Sequence, residues 1–170
     1  QLDVPYFLRH DAQEIAWQTR HLYRSCQTLK PVVKARLSPV GEGLQVLIYS
    51  LDQPQLFARI CRYFGTIGYT IADAKIHTTR NGYALDTFQI MGAKTSPGYR
   101  DMISLIEHDL ALALLAKGAL ASPARGRISR QLRHFPISPE VHIRTDERGQ
   151  YHLLSITAGD RPGLLSSIAL

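Results

Sequence analysis

The run Asp160-Arg161-Pro162-Gly163-Leu164-Leu165 follows directly on a strand-like stretch, Tyr151 to Thr157. An earlier segment repeats the arrangement: Asp52-Gln53-Pro54-Gln55-Leu56-Phe57 follows the apolar run Leu44 to Leu51. Superposing Asp52 on Asp160 also aligns Ile48 with Ile156, Pro54 with Pro162, Leu56 with Leu164 and Ile60 with Ile168. These identities fall on the strand, the turn and one face of the following helix, which indicates a repeated strand–turn–helix unit. The second copy stops at Leu170, a few residues into its helix, so the chain reads as a piece of a longer protein cut inside a second repeat.

Around the first copy the pattern predicts a complete domain. Leu44 to Leu51 is continuously apolar, as a strand covered on both faces is. Asp52-Gln53-Pro54 opens a helix whose face is Leu56, Ile60 and Phe64, and Gly65 and Gly68 end it. Tyr69 to Thr78 alternates, Asn81-Gly82 is a hairpin signal, and Ala84 to Met91 is the return strand. Ser96-Pro97 opens a second helix, through Met102, Ile106, Leu110 and Leu114 to Gly118. Glu140 to Thr145 alternates and completes β-α-β-β-α-β over 43–145, the ferredoxin-like plan, an α+β fold with an antiparallel sheet and both helices on one face. Residues 1–40 read as a helical segment, with Ile15, Leu22 and Leu29 on one face, until Pro31 and Pro39-Val40-Gly41 break it. Residues 150–170 begin the second unit. Its strand, Tyr151 to Thr157, pairs either with Glu140 to Thr145 through the Asp146–Gly149 turn or with another chain.

Composition narrows the function classes. The net charge of +6 suggests nucleic acid, but the charge is diffuse. Arg125, Arg127, Arg130 and Arg133 form the only dense group, with no aromatic before Phe135, so 117–134 reads as a solvated basic loop or a protein-facing patch. Tyr83 and Phe88 lack the basic–aromatic setting of an RNA-binding sheet. No apolar run approaches the roughly 20 residues of a membrane span. Cys26 and Cys61 have no metal or redox spacing, which suits a reducing cytoplasm.

Catalytic chemistry finds no foothold. The serines and histidines show no triad context, no paired carboxylates share a cleft arrangement, and no glycine-rich phosphate loop precedes a lysine. His77 and His152 read as water-facing strand residues, and in His10-Asp11 the aspartate reads as a helix cap rather than a metal ligand. What remains is the Asp-x-Pro-Gly turn. A helix N-terminus offers free N–H groups to a small carboxylate, an aspartate there holds an ammonium group or caps the helix, and Gly163 permits close approach. The candidate ligand-binding residues are Asp160, Arg161, Pro162, Gly163 and Leu164, with Asp52, Gln53, Pro54 and Gln55 in the first copy. Gln55 stands where the second copy has glycine.

The strand–Asp-x-Pro-Gly-Leu–helix unit within a βαββαβ plan resembles the ACT domain, a regulatory module that typically binds amino acids. The Asp52–Phe57 segment, Ile71 to Thr78, Asn81 to Phe88 and Ile156 to Leu165, together with Tyr6-Phe7-Leu8-Arg9-His10 and Glu14 to Arg20, resemble the C-terminal tandem ACT region of the bacterial PII uridylyltransferase/uridylyl-removing enzymes. The resemblance implies that residues 1–40 follow a hydrolase domain, that 43–145 is one ACT domain and that 150–170 begins another. It further implies a parent that adds UMP to the PII signalling protein and removes it again, with Mg2+ in catalytic domains that lie elsewhere. Glutamine would be the effector and ACT–ACT pairing the mode of assembly. The ligand-binding ACT pattern has glycine at the place of Gln55, where a side chain would crowd the approach to the helix N-terminus, which implies that Gly163 marks the better ligand turn. This stretch itself would be catalytically silent. An ACT module of another amino-acid-controlled protein, such as an alarmone synthetase, is the alternative within the class. A pure oligomerisation or interaction module is the alternative outside it.

Overall fold

The computed structural model describes residues 2–92, 99–116, 137–147, 149, 151–159 and 164–169. Two short helices come first, α1 (Val4–Arg9) and α2 (Ala12–Leu22). Each starts at an aspartate cap. Asp3 accepts the Tyr6 amide at 3.4 Å, and Asp11 accepts the Glu14 amide at 2.8 Å. This satisfies N–H groups that the helix cannot bond internally. Asp11 is thus the cap the sequence indicates.

The helical reading of residues 1–40 holds only as far as Leu22. The helix stops at Leu22, Leu29 is exposed, and Val32–Leu37 is a strand, β1. A tight turn returns the chain into β2 (Leu44–Leu51). Gly43 must be glycine there. Its φ is +101°, and a Cβ would lie 2.2 Å from the Ile90 carbonyl oxygen. Helix α3 (Leu56–Thr66), β3 (Tyr69–Lys75), β4 (Tyr83–Gly92) and α4 (Tyr99–Leu115) follow.

The sheet is antiparallel, in the order β1-β2-β4-β3. It has the α+β, ferredoxin-like layout, with one correction. The edge place beside β2, expected for Glu140–Thr145, belongs to β1, so the unit runs ββαββα. Glu140–Thr145 is β5 and pairs instead with β6 (His152–Thr157) in a separate antiparallel hairpin, the first of the two partners foreseen for that strand. Helix α5 (Leu164–Ile168) comes next and packs beside α3.

Both faces of the sheet are covered, which explains the unbroken apolar run of β2. Leu44, Val46 and Ile48 point to α3 and α4 with Phe88 and Ile90 of β4, and meet Leu56, Ile60, Phe64, Ile106 and Leu110. The helix residues recur three or four apart and form single apolar stripes. Each such side chain stabilises the fold by about 1.5–3 kcal/mol when fully buried. Leu47, Tyr49 and Leu85 point the other way, onto Tyr6, Ile15, Trp17 and Leu22 of α1 and α2.

The outer face also carries a polar lattice. Glu14, 2% exposed, receives the Lys75 ammonium at 2.6 Å and the Gln45 amide at 3.1 Å. Gln18 accepts from the Tyr6 hydroxyl and donates to Thr87 at 3.1 Å. Arg36 donates to Gln45 at 2.7 Å and lies over the Trp17 ring. These contacts fix α2 in one register on the sheet, because a buried polar group left without its partner costs about 1–3 kcal/mol.

The repeat extends further back than the turn. Moving by the interval that carries Asp52 to Asp160, β1 falls on β5, the start of β2 on that of β6, and the start of α3 on that of α5. The pairing register coincides too: Val33↔Ile48 maps onto Val141↔Ile156, and Leu37↔Leu44 onto Thr145↔His152. Even the turn hydrogen bond recurs, Ser38 N–H to Gly43 O at 3.0 Å and Asp146 N–H to Tyr151 O at 2.8 Å. The repeated unit is therefore ββα.

Candidate functional site

Strand β2 delivers the chain to the turn Asp52–Gln55, which lies over the end of β4. Asp52 does not cap its own helix. Its amide donates to the Gly82 carbonyl at 3.0 Å, and its carboxylate accepts from the Thr78 hydroxyl at 3.1 Å. Asp52 thereby ties the β2–α3 turn to the β3–β4 turn that Asn81-Gly82 forms, where Gly82 has φ +77°. The Gln53 carbonyl accepts the Leu56 amide at 3.1 Å, and its side chain reaches the Leu114 carbonyl of α4 at 3.4 Å. Pro54 lies in the turn before α3, not in its first helical turn.

Gln55 is the cap residue of α3, and no side chain caps that end. Its φ of 63° is left-handed, the only such value at a non-glycine among the described residues. A Cβ in that conformation is disfavoured, and glycine adopts it freely. The corresponding place in the second copy is Gly163. Asp160, Arg161, Pro162 and Gly163 lie outside the described residues. Leu164 opens α5, half-buried, as Leu56 opens α3.

One residue of this site escaped the sequence reading. Asp86 of β4 is 2% exposed, on the face that α3 and α4 cover, directly across from Ile48. Its Oδ1 accepts the His77 amide at 3.2 Å. Burial pushes the carboxyl up to about 7, against the pull of that hydrogen bond, and the Asp52 charge adds to the rise. A lone acid between Leu85 and Phe88, in a strand otherwise apolar on that face, was the signal available. Asp52 and Asp86 thus lie near enough for the charge of one to raise the pKa of the other. Of the two, Asp52 is exposed beside the start of α3, whereas Asp86 is sealed beneath the helices.

The histidines divide. His77 does not face water. It follows β3, its side chain is 13% exposed, and it lies against the Tyr6 ring and 3.7 Å from Asp3. Burial lowers its pKa, with the Asp3 charge opposing. His152 is an exposed strand residue, as read from the sequence. His10 is buried and bonds the Tyr6 carbonyl through Nδ1 at 2.9 Å. Among the described residues no group of three or more His, Cys, Asp or Glu could hold a metal ion. No helix among them is long and apolar enough to cross a membrane. The basic stretch 117–134 and the Ser96-Pro97 helix start lie outside the described residues, except that α4 is described from Tyr99.

Comparison with known proteins places these features in a family context. Residues 1–21 match the family model described as the uridylyltransferase GlnD fifth domain. The chain is 61% identical to the bifunctional uridylyltransferase/uridylyl-removing enzyme of Ralstonia nicotianae. It is 58% identical to that of Cupriavidus pinatubonensis and 57% to that of Chromobacterium violaceum. Each match covers 99% of this chain and 20% of the relative, so the chain spans a fifth of the length of these curated relatives. No solved structure matches.

Proposed function

We propose that this chain, which corresponds over 99% of its length to a fifth of a bifunctional uridylyltransferase/uridylyl-removing enzyme, is the glutamine-sensing segment of such an enzyme. In this reading the parent modifies and demodifies the PII protein in the cytoplasm, with Mg2+ in its catalytic domains, and ACT units pair to complete the sensor. The present segment supplies effector recognition and no chemistry.

The observation that supports the reading is the duplicated ββα unit, in which the sequence runs Asp52-Gln53-Pro54-Gln55 and Asp160-Arg161-Pro162-Gly163 fall at the same interval before the two helices. In the first copy the turn is held by Thr78, Gly82 and Leu114, and Gln55 is the cap residue of α3. The second copy has Gly163 at the place of Gln55, a residue with no side chain to crowd a ligand. Glutamine fits the chemistry on offer: a carboxylate for the helix N-terminus, an ammonium group for an aspartate, and a neutral side chain that needs no counter-charge.

Thermal unfolding of the chain against glutamine, with glutamate as control, tests this. A ligand specific to the folded form raises stability by about 2.7 kcal/mol at 100 times its Kd. A glutamine-specific rise that Gly163→Val abolishes is expected. Equal responses to glutamine and glutamate overturn the effector assignment and favour a module for another amino acid. The absence of any response favours an interaction module.

A further inference from the structure

A cleft of about 160 Å3 opens between α1, α2 and the outer face of the sheet. We infer that this cleft is a small-molecule site separate from the Asp52–Gln55 turn, and that it takes a neutral, apolar ring compound. Two properties carry the inference: what its walls offer, and what they withhold.

Tyr6, Leu22, Tyr49 and Leu85 supply the walls, and no Asp, Glu, Lys or Arg lines them. The polar groups on its buried side are already engaged, and the remaining hydroxyls, of Thr19 and Tyr23, belong to exposed residues. Gln18 accepts from Tyr6 and donates to Thr87. The Tyr49 hydroxyl donates to the Cys26 carbonyl at 2.9 Å, and the Thr79 hydroxyl donates to the Tyr83 carbonyl at 2.9 Å. Burial pushes the Tyr6 phenol up to about 12 and raises that of Tyr49, so both stay uncharged at neutral pH.

A space walled in this way holds water poorly, because an ordered water needs two to four polar partners. An apolar cavity of about 150 Å3 is large enough to take up benzene. A zwitterionic amino acid finds no charge partner here and would lose its hydration. The cleft therefore selects against the very molecules that the Asp52–Gln55 turn suits. Occupancy would also be felt at that turn. Thr79 lines the cleft, and its neighbour Thr78 holds Asp52.

Cys26 lies at the rim, exposed, and gives a local readout. Cys61, the other cysteine, is buried with its thiol pushed up to about 12, so alkylation of the native chain reports on Cys26 alone. The experiment measures the rate of iodoacetamide alkylation of Cys26 in the whole chain, with indole as the probe and indole-3-acetate as the charged control. Amide shifts of Thr79 and Leu85 are followed in the same titration. A site that closes over its occupant slows alkylation about tenfold when indole is present at about ten times its Kd. Thr19→Trp, at an exposed position on the lining, fills the cleft from its rim and should abolish the response to indole while leaving the fold intact. Three results overturn the inference. They are no change in rate or shifts up to the solubility limit of indole, equal protection by the anion, and undiminished protection in Thr19→Trp.

Discussion

Gly41 and Gly149 hold the same left-handed position, φ +86° and +67°, in two hairpin turns separated by the interval that carries Asp52 to Asp160. No side chain is needed to see the duplication there: the backbone itself repeats, from hairpin register to helix start. The same interval sets Gln55 against Gly163, and the difference between those two residues is the basis of the first prediction.

Gln55→Gly should stabilise the chain. The left-handed backbone costs a side chain roughly 1–2 kcal/mol, and glycine returns part of this through its freer unfolded state. A net gain of about 0.5–1 kcal/mol is expected in urea unfolding. A loss instead would mean that the Gln55 side chain makes a stabilising contact that outweighs its backbone strain.

Asp86 should make stability fall as pH rises. Its folded pKa, about 7, lies above the ordinary 3.8. A raised carboxyl contributes its stability below pH 3.8 and loses it as pH climbs through 7. Asp86→Asn keeps an acceptor for the His77 amide and removes the titration. The variant should match the wild type near pH 4 and exceed it progressively up to pH 8, by on the order of 4 kcal/mol at the limit. Parallel pH profiles for the two proteins would refute the buried-carboxyl assignment.

The Glu14–Lys75 pair should behave as a buried ion pair with one wet partner. Glu14 is 2% exposed and Lys75 30%. Lys75→Met strands the carboxylate and is expected to cost about 2–3 kcal/mol, below the 3–5 of a fully buried pair. The double variant Glu14→Gln/Lys75→Met should recover much of that loss. A double-mutant cycle with no coupling would show that α2 is held on the sheet by apolar contacts alone.

The two cysteines should separate cleanly. One thiol should react in the native chain and two in urea, because Cys61 is buried among the α3 contacts while Cys26 is exposed. Mass spectrometry after brief alkylation reads the count.

Local pattern made the interior elements legible. The apolar run of β2, the Leu56-Ile60-Phe64 stripe, the Asn81-Gly82 turn and the Asp11 cap each depend on neighbours within a few residues. Strand β1 was not legible. Lys34 and Arg36 interrupt its apolar positions, and the partner of Lys34 is remote: Glu107 of α4 takes both the Lys34 ammonium at 2.8 Å and the Ala35 amide at 3.0 Å. That carboxylate also occupies an outward N–H of an edge strand, a group that would otherwise be open to another chain. Missing β1 led directly to the misplacement of Glu140–Thr145 in the main sheet. At the site, the Asp-x-Pro turn was visible in the sequence, but the bonds that hold Asp52 come from Thr78 and Gly82, and Asp86 comes from a third segment. Long-range pairings of that kind leave no periodic trace.

The central claim, that the duplicated turn senses glutamine and does so through its glycine-bearing copy, is tested most directly by an amide-resolved NMR titration of the chain with glutamine. The account predicts saturable shifts at Gly163, Leu164 and Leu165, with weaker ones at Gln55 to Phe57 and none with glutamate at the same concentration. Saturable shifts confined to residues elsewhere, or none at 163–165 while glutamine stabilises the fold, would contradict it.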